Sequence, residues 1–393
     1  MKEHPEISKT FKIAAILLAC IGVAAFFVGL GSTPDATWGA YLIAAYYFLS
    51  LAIGAAFFLA IQSISQSGWS SAFRRVPEAM MAWIPWAGIA FLLLFFGMKN
   101  LYQWAQPEAV DSDALLQHKS AFLNIPFFFI RLILFFVLWS LFAYLIRRAS
   151  VQEDSFNSTD ESGIMRLFHK SELYSKIFIF ILALTFTFAA VDWIMSVETH
   201  WYSTIFAMKN FIAAFLHGVS IITLIVFILH RRGYYPFLNK YHLHDFARYI
   251  FMLSIVWGYM WFAQFMIIWY GNIPEETAYY YFRWQSGWKV MFWLQIILNW
   301  TIPFMVLLPV KASRNINIIT AVIIVLIIGQ YLDLYVEVMP VLTGKLRFGL
   351  VEGGIFLGFA GLFALVTGIA LTKARLIPHN HPYIEESLNH KFE

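Results

Sequence analysis

The sequence is poor in charge and nearly empty of cysteine. Of its 393 residues only 13% are Asp, Glu, Lys or Arg, where a soluble domain carries roughly a quarter; a soluble globular chain is excluded. Cys20 is the single cysteine. One thiol closes no intrachain disulfide and holds no iron–sulfur cluster by itself. Only one histidine, His217, falls near the middle of an apolar segment. An intramembrane haem takes two axial histidines, so no haem is expected on this chain. There is no Walker loop and no zinc spacing. A formal net charge of +4 is too small to argue for a nucleic-acid partner.

What the chain has instead is hydrocarbon. Hydrophobic residues make up 60% of it and aromatics 19%, including 40 Phe and 15 Trp, which suits a lipid-facing surface with interfacial belts. Ten segments are long enough to cross a bilayer, which takes ~20 apolar residues: about 11–31, 39–66, 81–103, 124–147, 173–198, 204–230, 246–270, 288–310, 317–338 and 349–375. The first has no convincing small-residue cleavage site after it and reads as a span rather than a signal peptide. The fold class expected is an all-α polytopic membrane protein, with residues 1–393 forming one integral membrane domain. With the N-terminus inside, 19 Lys and Arg fall on inner segments and six on outer loops. That bias and the even number of spans place both termini on the cytoplasmic side. The stretch 148–172 reads as a polar inner loop, partly mobile, and the longest outer loops are 104–123 and 271–287. Spans three and four resemble spans seven and eight in layout, an offset of four that preserves orientation.

Ionisable groups within a bilayer are costly, by a few kcal/mol each, and call for a partner or a purpose. The stretch VDWIMSVETHW, residues 191–201, places Asp192 about 9 Å below the outer end of its helix, at 1.5 Å per residue, with Glu198, His200 and Trp201 at the mouth. Arg131, Lys209 and Asp333 lie at similar depths, so nearly all the buried charge is expected in the outer half. Gln330, Asp333 and Glu337 stand at i, i+3 and i+7 and share one helix face. Gln295 and Asn299 form an i, i+4 pair, and Gln264 stands alone. Such a stripe should face a bundle interior, since lipid leaves it unsatisfied. Two roles are open to it. The charges either pair as internal glue, Arg131 and Lys209 with Asp192, Asp333 or Glu337, or they line a half-channel or quinone pocket that opens outward and relays protons. Lys209 on its own could also snorkel to the interface, and Glu198 is expected to cap its helix in water. At the inner side His242, His244 and Asp245 read as surface residues, a proton entrance or a helix cap.

The segment HLHDFARYIFMLSIVWGYMWFAQFMIIWYGNIPEETAYYYFRWQSGW, from His242, resembles the F-type membrane subunit of alternative complex III, a bacterial quinol:electron-acceptor oxidoreductase. The carriers are His244–Asp245, the aromatic run to Gln264, and IIWYGNIPEET with YYYFRW after it; VDWIMSVETHWYSTIF looks like the same family. That family belongs to the wider superfamily of polysulfide-reductase and nitrite-reductase membrane subunits. The resemblance implies two four-helix bundles with two peripheral helices in the bacterial cytoplasmic (inner) membrane. It implies assembly with a sister membrane subunit of the same superfamily, an iron–sulfur protein and haem c subunits, with a terminal oxidase as a further partner. Haem c and iron–sulfur clusters would belong to those partners; this chain would bind no cofactor alone, though a quinol such as menaquinol could reach it near Glu198, His200 and Trp201. The proton-carrying groups would be Asp192, His217, Asp333 and Glu337, with Lys209 and Arg131 tuning them, Gln330 beside them, and His244 and Asp245 at the entrance. The alternatives are a structural scaffold and a secondary transporter. The latter calls for broken helices, and the spans are mostly unbroken, with Pro85, Pro126 and Pro303 as exceptions.

Overall fold

A computed structural model describes residues 4–156, 161–285 and 287–391. Among them are ten helices long and apolar enough to span a membrane: Lys9–Ser32, Pro34–Ile64, Ser71–Leu101, Ile125–Glu153, Glu161–Val197, Phe206–Arg231, Lys240–Gly271, Lys289–Leu307, Ile316–Thr343 and Leu350–Thr372, numbered here spans 1 to 10. The expected all-α polytopic fold is the one observed. "Inner" below denotes the face that carries both termini, "outer" the opposite face.

Spans 2, 3, 4 and 5 pack in a ring in chain order, and spans 6, 7, 8 and 9 close a second ring. The offset of four between the rings matches the layout repeat noted in the sequence. Spans 1 and 10 pair with each other and lie against spans 2 and 3. Span 2 is the axis of the molecule, touching spans 5, 6, 9 and 10 and buried on every side. A helix apolar all round belongs inside, and its run of Ala, Gly and Ser lets neighbours come close. Gly54 of span 2 meets Gly218 of span 6 backbone to backbone: a Cβ built on Gly54 falls 2.0 Å from the Ala214 carbonyl oxygen.

Two spans are irregular, span 8 for a visible reason. In span 8 the segment Ile297–Thr301 is a π-helix. Pro303 follows, which has no N–H and whose ring crowds the carbonyl of Asn299, four residues earlier. Asn299 is held from outside instead: its carbonyl accepts the Ser254 hydroxyl of span 7. Its side-chain amide donates to the Gly329 carbonyl of span 9 (2.8 Å) and its side-chain oxygen accepts from Gln330 (3.1 Å). Span 3 begins at Ser71, ten residues earlier than its hydropathy suggests, and contains three 3₁₀ stretches.

Several boundaries need correcting. The expected polar loop 148–172 is mostly helix: span 4 runs on to Glu153 and span 5 starts at Glu161, while 157–160 lie outside the described residues. Polar residues there extend the helices beyond the apolar slab instead of ending them. The outer loop 271–287 contains an amphipathic helix, Pro274–Gln285, and 104–123 contains two short ones, Pro107–Ser112 and Ala114–Lys119.

The C-terminal segment is strapped across the inner face. Asp154 accepts from the His379 backbone (2.8 Å), and Asn380 donates to the carbonyls of Glu153 and Phe156. Ser387 donates to the Trp69 carbonyl, and His390 lies 2.6 Å from Asp245. The tail covers His242, whose Nε2 lies 2.9 Å from the Ser387 carbonyl oxygen, while His244 packs against Ser313; both are buried and not on the surface as expected. The cap of span 7 is Asn239, in a capping box with His242, so Asp245 is not the cap either. Within the strap His381 is buried against Phe168, and its Nδ1 accepts the Tyr383 N–H. Burial, reinforced by Arg74 and Arg75, pushes its pKa well below the ordinary histidine range. A histidine depressed in this way binds its proton more readily when the tail is undocked. The contribution of His381 to docking is therefore full above about pH 6.5, the free-histidine value, and is lost as the pH falls below it, in the same direction as that of His242 beneath the tail. Hydrogen exchange of residues 376–391 should show protection at about pH 8 that declines toward about pH 5, and His381→Phe should flatten that decline.

Candidate functional site: two buried outer ion clusters

The polar stripe of span 9 faces the interior of the second ring, and Lys209 of span 6 reaches into it. Its Nζ lies 2.5 Å from Asp333 Oδ1 and 2.7 Å from Glu337 Oε1. Asn210 donates to Glu337 (3.2 Å), and the Trp257 indole of span 7 donates to the second oxygen of Asp333 (3.3 Å). Lys209, Asp333 and Glu337 are each 6% exposed or less. Lys209 is thus not a snorkelling residue: a wholly sequestered ammonium sits between two carboxylates. Tyr46 of span 2 has a buried hydroxyl without a hydrogen-bond partner and lies within the field of both acids.

The cluster is closed on its outer side by Arg283 of the amphipathic helix, which is fully buried. Pro340, inside span 9, lacks the N–H that would bond the Val336 carbonyl. Arg283 Nε donates to that carbonyl at 2.9 Å, and its Nη2 donates to the carbonyl of Glu337 and to Glu198 Oε2, both at 3.0 Å. The guanidinium also lies over the Tyr279 ring, 3.4 Å from its centroid, and Trp201 stacks on the same ring at 4.1 Å. Glu198 is therefore an ion-pair partner and not a water-exposed cap. Glu198 and Trp201, expected to open a quinone pocket, form part of a packed lid. His200 is apart from them, half exposed and 3.0 Å from Asp113.

The first ring has its own pair. Arg131 Nε of span 4 donates to Asp192 Oδ2 of span 5 at 2.6 Å, and Arg131 Nη1 donates to the Phe122 carbonyl at 3.0 Å. The guanidinium lies between the rings of Phe122 and Phe127, at 4.0 and 4.2 Å. Asp192 is wholly buried, and its Oδ1 has no partner. VDWIMSVETHW thus serves both rings: Asp192 turns into the first, Glu198 into the lid of the second.

The remaining sequence candidates lie elsewhere. His217 is buried, with Nδ1 3.1 Å from the Ser50 hydroxyl and its ring edge-on to Tyr47 at 4.1 Å. It stands eight residues along span 6 from Lys209, about 12 Å, so it does not join the triad. Gln330 belongs to the Asn299 network described above. His244 Nδ1 is 2.7 Å from the Ser313 hydroxyl, and Asp245 faces His390, both at the inner end.

Buried charge is not confined to the outer half. At the inner end Glu78 receives Arg75 at 2.6 Å, Arg74 at 3.2 Å and the Ser150 hydroxyl at 2.5 Å. Arg74 also meets Glu153, and Arg75 meets Asp154. Arg74 and Arg75 read in the sequence as ordinary inner-loop charges. Only the spacing of Arg74, Arg75 and Glu78, at i+3 and i+4 on one helix face, hints at this network. Arg283, Asn210 and Trp257 carried no comparable signal beyond the i, i+4 relation of Tyr279 and Arg283. Among the described residues no three His, Cys, Asp or Glu side chains stand close enough to share a metal ion.

No protein-family model matches the chain, and no curated protein is found to match it.

Proposed function

We propose that this chain is a membrane subunit, without a redox centre of its own, of a respiratory quinol-oxidising complex of the alternative complex III type in a bacterial cytoplasmic membrane. In this reading its second ring carries protons toward the outer face while a sister membrane subunit, an iron–sulfur protein and haem c subunits carry the electrons. The resemblance of residues 191–206 and of the segment from His242 supports the assignment to such a complex. One observation carries the proton role: a single buried ammonium, Lys209, faces two buried carboxylates, Asp333 and Glu337. Such a group is electrically neutral only with one additional proton aboard, and a low-dielectric site favours neutrality. Loading and unloading one proton is the chemistry that this charge count provides.

The first ring supports a different role. Arg131 and Asp192 balance one to one, which suits a packing device that locks spans 4 and 5. The experiment is proton release by the purified complex in liposomes, measured with the quinol oxidation rate in wild type, Asp333→Asn and Asp192→Asn. The expected result is oxidation retained in both variants, with protons released per electron falling by about half or more in Asp333→Asn alone. Wild-type release in a normally assembled Asp333→Asn complex would make the whole chain a scaffold. Failure of the tagged chain to bring c-type haem absorbance out of native membranes would remove the respiratory assignment itself.

A further inference from the structure

Between span 6 and span 10, both of which pack on span 2, a slot of about 460 Å³ opens, within the ~300–1,000 Å³ of drug-sized ligand sites. Its walls are almost wholly apolar, from Ile221, Leu224 and Ile225 on one side to Phe356, Phe363 and Ala364 on the other. From Ile221 to Arg232 it follows eleven residues of span 6 and its end, about 16 Å, close to the ~15 Å half-thickness of a hydrocarbon slab. It therefore runs from the inner headgroup level to about mid-membrane. Its deep end is closed by Tyr47, Phe48 and Ile327.

Three polar features mark this slot as a built site. At the mouth Arg232 is exposed and forms no ion pair among the described residues. Glu6 stands on the same rim, its backbone N–H donating to the Tyr234 hydroxyl at 3.1 Å. About five residues below the inner end of span 10, some 8 Å, Thr367 lines the wall. It is 3% exposed, and its hydroxyl has no partner, although a helical threonine can bond the carbonyl one turn back.

We propose that this slot holds one acyl chain of a phospholipid from the inner leaflet, with the lipid phosphate at Arg232, a headgroup ammonium at Glu6 and an ester carbonyl accepting from Thr367. The hydrocarbon walls fit the chain, and the slot's length fits one leaflet. The paired charges of the rim match a phosphoethanolamine headgroup better than a purely anionic one. An isoprenoid quinone, the other lipid of suitable size, would bring ring carbonyls to the deep end. There the Tyr47 hydroxyl is already committed to the Ile327 carbonyl at 3.0 Å, leaving nothing to hold them. The inference is independent of the respiratory reading above.

The test is lipid retention by the purified full-length chain, by native mass spectrometry and extraction. The protein is first equilibrated with vesicles containing equal amounts of phosphatidylethanolamine and phosphatidylglycerol. Wild type should keep about one phospholipid per chain, enriched in phosphatidylethanolamine. Ala364→Trp, which fills the slot, should lose it, and Thr367→Val and Arg232→Gln should each weaken retention about fivefold or more, as loss of one hydrogen bond or charge contact does. Arg232 is exposed and Thr367→Val is isosteric, so these two variants report on binding even if Ala364→Trp folds poorly. Undiminished retention in Thr367→Val and Arg232→Gln, preference for phosphatidylglycerol, or recovery of a quinone in place of phospholipid would each overturn the proposal.

Discussion

Lys209→Met is expected to be among the most damaging single substitutions in this chain. It removes the cation between Asp333 and Glu337 and leaves two carboxylates facing each other in a site closed by Trp257 and Arg283. Breaking one side of a buried ion pair costs about 3–5 kcal/mol, because the residual charge cannot be hydrated where it stands. The measurement is thermal unfolding in mild detergent, together with the yield of folded protein. Exchanging all three members for apolar residues, Lys209→Met with Asp333→Leu and Glu337→Met, should recover much of that loss, since well-packed apolar replacements of ion clusters are often neutral or stabilising. The triple variant is thereby informative about purpose. A protein that regains its stability but releases no protons would show that the charges serve transport; one that regains both would show that they serve packing. A wild-type melting profile for Lys209→Met itself would contradict the ion triad.

Gly218→Ala is expected to be comparably severe for an opposite reason. A Cβ at this position lies 2.5 Å from the backbone carbon of Gly54, and one at Gly54 lies 2.0 Å from the Ala214 carbonyl oxygen. Both obstacles are backbone, so no side-chain rotation relieves them and spans 2 and 6 must move apart. Overpacking of this kind costs about 1–3 kcal/mol and occasionally more, and here the upper end applies because the contact joins the two rings. Phe57 of span 2 packs edge-on against Phe211 and Phe215 of span 6, a contact that loosens when the spans separate, and thermal unfolding in mild detergent reads the loss. The unfolding temperature should fall in Gly218→Ala. Gly31→Ala, where nothing lies within 4 Å of the added carbon, should be stable or slightly stabilised by the gain in helix propensity.

The ten spans were legible because a bilayer sets a minimum length for apolar segments and few other structures satisfy it. The helix ends were not. Beyond the slab a helix continues on hydrogen bonding and packing, as in residues 148–153 and 161–172, and hydropathy is silent about both. The stripe of Gln330, Asp333 and Glu337 was legible through its period, and a basic partner was among the roles open to it. The choice of Lys209 for that stripe and Arg131 for Asp192 depends on ring closure, a property of distant segments. His217 shares a helix with Lys209, yet eight residues carry it about 12 Å deeper and turn it about 80° away, so a common helix did not mean a common site. Arg74, Arg75 and Arg283 were read as loop charges since composition cannot separate a hydrated guanidinium from one neutralised by Glu78 or Glu198. The burial of His242 depends on Ser387, 145 residues later in the chain, and that of His244 on Ser313, 69 residues later; no local pattern announces either.

Span 2 has to live in two environments in succession. It is synthesised before spans 5, 6, 9 and 10, which later enclose it, and chains are made from the N-terminus onward. During that interval the helices that bury its flanks are not yet made. Its almost unbroken apolar sequence suits this early period, whereas its glycine and alanine faces suit the later one, when lipid is displaced by helices. Its sequence therefore has to satisfy the order of manufacture as well as the finished article.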